Sequence, residues 1–170
     1  VRPILILALT LTLAGCKQET AAIPDPVEMT DEALGHYCQM YLADHGGPKA
    51  QVALEGYAQP VWFSQVSDVI AYLHDAERDA PIAAIYVSDM DKAVSWSEPG
   101  IDNWIAADAA HYVIESRQPG GMGTAEAIPF GTEAGAEAFV AEKGGRIVSF
   151  DAVPEAYVRP AEIQAMESPQ

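Results

Sequence analysis

Two stretches of this chain run through the same order of signals, and that repetition limits the fold more than any other feature. In "QPVWFSQVSDVIAYLHDAERDAPIAAIYVSD" an extended run ends at Phe63 and Ser64 can cap a helix. Val66, Val69, Ile70 and Leu73 then recur at the spacing of one helix face. The apolar run 82–87 follows as a buried strand. In "EAIPFGTEAGAEAFVAEKGGRIVSFD" Phe130 ends the run, Thr132 caps, and Ala136, Phe139 and Val140 form the stripe. Gly144-Gly145 then stops the helix before a strand at 146–150. Phe63 stands nine residues before Tyr72, and Phe130 nine before Phe139.

An apolar segment precedes each block, around 37–42 and around 109–115. The chain therefore reads as β-β-α-β twice, with "MDKAVSWSEPGIDNW" as connector. The expected fold class is α+β: two similar ββαβ units, 31–91 and 92–155, packed into one compact domain, with 156–170 as a C-terminal tail. Phe63, Ile70, Leu73, Ile85, Val87, Phe130, Phe139, Ile147 and Val148 are expected in its core. "HGGPK" and "PGGMG" would then be corresponding loops, each after the first strand of its unit.

The N-terminus carries a different message. "VRPILILALTLTLAGC" has one basic residue, Arg2, then an apolar run too short to span a bilayer, ending on small residues. Residues 1–15 read as a signal peptide. Leu13-Ala14-Gly15-Cys16 resembles a bacterial lipobox, which makes Cys16 the lipidated first residue of the mature chain. Residues 16–30, polar and proline-containing, are expected to be a flexible tether.

The chain has two cysteines. If lipid takes Cys16, Cys38 has no intramolecular disulfide partner in a compartment where disulfides persist, so its thiol must be buried, shared with another chain or bound to something. Charge narrows the partners. With 25 acidic and 9 basic residues the net charge is −16, and losing Arg2 with the signal makes it −17. Such a surface repels nucleic acid and anionic headgroups, which leaves membrane attachment to acyl chains.

Cys38 is followed two residues later by Met40, and on a strand the pair would project from the same face. Thiolate and thioether form a soft pair that favours Cu(I) over Mg, Ca or Mn. His45 lies five residues past Met40, and Met122 sits in the other glycine loop; either could supply a third donor. Core packing of Cys38 and Met40 is the competing reading. His36, His74 and His111 are expected to be structural or surface residues, and the three tryptophans core or connector anchors.

Together, the lipobox, "CQMYLADHGGPKAQ", "AAIYVSD", "WIAADAAHYV", "GGMGTAEAIPF" and "AFVAEKGGRIVSF" resemble the NosL family of nitrous oxide reductase accessory lipoproteins. The resemblance covers nearly all of the chain after the tether. It implies a periplasmic Cu(I) carrier, lipid-anchored to a bacterial membrane, monomeric and without catalytic activity. Its partners would be nitrous oxide reductase and a membrane ABC-type maturation complex. It further implies a shape related to organomercurial lyase, with Cys38 as thiolate and Met40 as thioether ligand; His45 and Met122 match motif positions as well. The other readings are a scaffold lipoprotein that binds no metal and a thiol lyase, for which one cysteine is too few.

Overall fold

The computed structural model describes residues 22–75 and 78–159. It is a small mixed domain with two antiparallel sheets. The first contains β1 (Ala50–Leu54), β2 (Val61–Phe63), β3 (Ile82–Ser88) and β4 (Trp104–Ala106), in the order β2-β1-β3-β4. The second contains β5 (His111–Ile114), β6 (Ile128–Phe130) and β7 (Arg146–Val148), in the order β6-β5-β7. Helix α1 (Val66–Leu73) lies between β2 and β3 in the chain, and α2 (Glu133–Lys143) between β6 and β7. A short helix, α3 (Glu155–Val158), follows.

The first strand is not where the apolar segment 37–42 suggested. That segment is a turn: the Gly35 N–H donates to the Met40 carbonyl (2.9 Å), the Gln39 N–H to the Gly35 carbonyl (2.8 Å), and Leu34 bridges Tyr41. Gln39 has φ +56°, in the left-handed region, which no strand passes through. Its side-chain amide donates to the His36 carbonyl and supports that conformation. The physical reason lies in burial, since Leu34, Tyr37, Met40 and Tyr41 are all exposed and a core-facing alternation is missing. "AQVAL" has that alternation. Ala50, Val52 and Leu54 face the core, and the strand forms there, after "HGGPK" instead of before it. The two glycine loops are therefore not at corresponding places in the two halves.

Strand β5 is buried on both faces and joins the two layers. Tyr112 and Ile114 belong to the main cluster with Val52, Phe63, Val66 and Val69, while Val113 faces Ile128, Phe130 and Ala136 under α2. Of the expected core, Phe63, Ile70, Val87 and Phe130 are buried; Ile85, Phe139, Ile147 and Val148 are half-buried but packed against these clusters. Leu73 is half-buried, and Tyr72 takes the position beneath α1 instead.

The expected tether is docked over its last part. The Pro24 carbonyl accepts from the Tyr86 hydroxyl (2.7 Å), and the Val27 backbone exchanges two hydrogen bonds with the Gln51 side-chain amide (2.8 Å each). Met29 is 7% exposed among Ala33, Leu42, Trp62 and Trp104. Gln51, Trp62, Tyr86 and Trp104 share the sheet face turned away from α1, and an uncovered face this apolar needs a lid, which residues 24–42 supply. The start of the expected tail is docked too: the Tyr157 hydroxyl donates to the Glu126 carbonyl (3.0 Å) and accepts from the Glu115 N–H (2.9 Å). The signal peptide, Cys16 and the tail beyond residue 159 lie outside the described residues. Among those described, no helix is long and apolar enough to cross a membrane.

Both helix starts are tied to the opposite half. Glu126, just before β6, accepts at Oε1 from the Ser67 N–H in the first turn of α1 (2.9 Å). Asp89 and Asp91, just after β3, accept from the N–H groups of Gly131 (2.8 Å) and Thr132 (2.7 Å), immediately before α2. Thr132 caps α2 as expected, accepting from the Gly135 N–H (3.1 Å). Ser64 does not cap α1. Gln65 is the N-cap residue and makes no side-chain cap bond, which frees both side chains for another task.

Candidate metal site

Cys38 is the free cysteine among the described residues, and it is half-buried. Its sulfur lies 3.0 Å from Ser64 Oγ. Gly35 makes room for the contact, since a Cβ there would lie 2.5 Å from both atoms. A ring of aromatic groups holds this turn against α1: His36 packs on Tyr37, Phe63 and Tyr72 at centroid distances of 4.9, 5.6 and 5.4 Å. The Tyr37 hydroxyl donates to the Asp75 carboxylate. His36 therefore has the structural role expected of it. Met40, in the same turn as Cys38, is 39% exposed. Turn geometry, and not a shared strand face, is what keeps the two sulfur-bearing residues near each other.

The two glycine loops meet although they occupy different places in their halves. A Cβ on Gly121 would lie 2.1 Å from the Gly46 carbonyl oxygen and 3.4 Å from His45 Cβ, so the backbones are in direct contact. Gly47, at φ +81°, lies under the Trp96 ring, where a Cβ would come within 2.7 Å of Cζ2. His45 Nε2 is enclosed and has no hydrogen-bond partner among the described residues. Met122 is half-buried, and its N–H donates to Gln65 Oε1 (3.1 Å). The chain thus brings the His45 loop against the Met122 loop, and it ties Cys38 and the Met122 backbone to two consecutive residues, Ser64 and Gln65.

Lys49 fastens these pieces from below. It is 1% exposed, and its ammonium donates to the carbonyls of Gly46 and Gly47 (3.0 Å each) and Ser64 (3.4 Å). Burial pulls its pKa down to about 8, opposed by the negative charge of Glu126 and of Cys38. Glu126 is also 1% exposed, and burial pushes it up to about 8 despite the bonds it accepts from Ser67 and Ala127. Its Oε2 is buried and without a partner among the described residues. A buried ammonium therefore lies within electrostatic reach of both Glu126 and Cys38.

Among the described residues no three His, Cys, Asp or Glu side chains gather as a metal-binding group. Cys38 shares its turn with Met40, and a thiolate with a thioether is a soft pair that favours a monovalent copper ion. Sequence reasoning missed Gly35, Lys49, Ser64, Gln65 and Glu126 as parts of the site. "SQ" before a helix reads as a cap, and Lys49 reads as a surface loop residue after Pro48. Only the small residues beside Lys49, in "GGPKA", and Glu126, in "GTAEA", could have drawn attention.

The sequence pattern of the NosL family matches residues 26–158. The chain is 48% identical over 158 residues to the copper-binding lipoprotein NosL of Achromobacter cycloclastes, covering 92% of this chain and 82% of that protein. It is 30% identical over 156 residues to the copper-binding lipoprotein NosL of Stutzerimonas stutzeri, with 92% and 80% covered. The crystal structure of the copper chaperone NosL from Shewanella denitrificans superimposes with a TM-score of 0.71 at 27% identity, covering 78% of this chain and 97% of that one.

Proposed function

Because the chain belongs to the NosL family, we propose that it is a lipid-anchored periplasmic carrier of Cu(I) that delivers copper for the centres of nitrous oxide reductase through a membrane ABC-type complex. Cys16 carries the lipid, and the two strand-strand-helix-strand halves form one monomeric domain whose shape is related to organomercurial lyase. Cys38 is the thiolate anchor, Met40 the first thioether, and His45 or Met122 the next donor. The observation that supports the reading is the fastening of Cys38 by Ser64 and of the Met122 backbone by Gln65, so that two consecutive residues hold segments distant in the chain.

Copper is the cargo, so the site must hold and release it. Cu(I) has a filled d shell and accepts few ligands, and a half-buried sulfur with an exposed Met40 leaves a side open to an incoming donor from the recipient. The new bond can form before the old one breaks. The Ser64 hydroxyl can turn its proton toward the sulfur once copper has replaced the thiol proton. Only copper–ligand bonds are exchanged in such a transfer, which is carriage of the ion from one donor set to another.

Competition for Cu(I) against a chromogenic chelator tests the reading. Cys38→Ser should lose tight binding while keeping the fold, and Met40→Leu should weaken binding without abolishing it. Equal Cu(I) retention by Cys38→Ser and wild type would rule the carrier reading out.

A further inference from the structure

Ser64 and Gln65 are adjacent, both are buried, and neither side chain caps the helix it precedes. Their polar atoms point instead to opposite members of the proposed donor set. Ser64 Oγ meets Cys38 Sγ at 3.0 Å. Gln65 Oε1 accepts from the Met122 N–H (3.1 Å) and the Thr124 hydroxyl (3.2 Å), and Gln65 Nε2 lies 3.1 Å from Thr124 Oγ1. Gly120 permits this approach, since a Cβ there would lie 2.4 Å from Gln65 Oε1. α1 has no need of Ser64 or Gln65 as a cap because Glu126 already takes its Ser67 N–H.

We propose that Ser64 and Gln65 are the positioning residues of the copper site, Ser64 fixing the Cys38 sulfur and Gln65 fixing the Met122 loop, so that one dipeptide sets the separation of two donors from the two halves. The inference rests on the carrier reading. Its physical basis is that neighbouring residues on one rigid backbone hold their contacts at a fixed spacing, whereas Met122 otherwise sits in the glycine-flanked stretch "GGMG". Gln65 acts only through Met122. Ser64 acts only through Cys38, and the two contributions are therefore separable.

The test uses the full chain, Cu(I) itself as the probe, chelator competition for affinity, and X-ray absorption for the number of sulfur atoms around copper. Gln65→Leu, which keeps volume but no hydrogen bond, should weaken Cu(I) about tenfold, the scale of one lost hydrogen bond, and remove one sulfur from the shell. Met122→Leu should do the same, and Gln65→Leu with Met122→Leu should be no weaker than Met122→Leu alone. Ser64→Ala should multiply with Met122→Leu. Thr124 is exposed, so Thr124→Val perturbs the fold little; it should weaken copper in the same direction and stay within the effect of Met122→Leu, which keeps the test decisive if Gln65→Leu folds poorly. Independent, multiplying effects of Gln65 and Met122, or an unchanged sulfur count in Gln65→Leu, would overturn the proposal and leave the carrier reading standing. A wild-type protein that takes up no Cu(I) would bring down both.

Discussion

Glu126→Gln should change how stability depends on pH, in a direction fixed by the structure. Oε1 of Glu126 accepts from the Ser67 N–H (2.9 Å), the Ser67 hydroxyl (3.0 Å) and the Ala127 N–H (2.9 Å), while Oε2 is buried with no partner among the described residues. Glutamine keeps the accepting oxygen and replaces Oε2 with a neutral amide, much as a proton does. In the folded chain burial holds the carboxyl at about 8, against an ordinary 4.5. The folded state therefore binds more protons than the unfolded state between those values, and the stability contributed by Glu126 falls as pH rises through that window. From pH 5 to pH 7 the unfolded chain has already released most of this proton while the folded chain keeps it, which changes stability by about 2–3 kcal/mol over the window. Lys49 adds no slope here, because its folded value of about 8 leaves it charged in both states over that range. Urea unfolding of wild type and Glu126→Gln at pH 5, 6 and 7 measures the quantity directly. The stability of the variant relative to wild type should rise by about 2–3 kcal/mol across the series. A gap that stays constant within about 0.5 kcal/mol would mean that Glu126 ionises normally in the folded chain, and the reasoning would fail.

Three further outcomes follow from burial and close approach. Met29→Ala should cost about 2–5 kcal/mol in urea unfolding, because Met29 is enclosed between Leu42 and the paired tryptophans; an exposed tether residue would show no effect. Ile70→Ala should cost more than Leu73→Ala, since only Ile70 is fully buried in the main cluster; equal costs would contradict the orientation of α1. Gly121→Ala should push the two glycine loops apart, weakening Cu(I) in chelator competition and raising amide exchange at residues 45–47, because its methyl group would collide with the Gly46 carbonyl.

The second half was the more legible in sequence because its signals are local. Thr132 caps, Gly144 and Gly145 stop α2 at φ +72° and +97°, and the helix stripe faces Phe130 and Ile128. In the first half the pattern misled where a turn replaced the expected strand. "HYCQMYL" is rich in residues that favour strands, yet its side chains serve a turn that presents Cys38, and period-two burial belongs to "AQVAL". The proposed donors could be named from residue type alone. Their supports could not, since Ser64, Gln65 and Lys49 reach partners through tertiary contacts between residues up to fifty-nine positions apart, to which no local rule applies.

The crossed helix starts have a consequence for how the chain folds. Neither α1 nor α2 finds all its first-turn partners within its own half: Glu126 lies fifty-nine residues from Ser67, and Asp89 forty-two from Gly131. A fragment ending near residue 91 would leave the Ser67 N–H without its carboxylate, and one starting near 92 would lose both aspartates before α2. The sequence repeat invites division into two modules, but these crossing bonds predict that the halves unfold as one cooperative unit. Calorimetry should show a single transition, and separately expressed halves should remain unfolded until mixed. Folding should also be slow for a domain this size, because these distant partners must meet before either helix is secured.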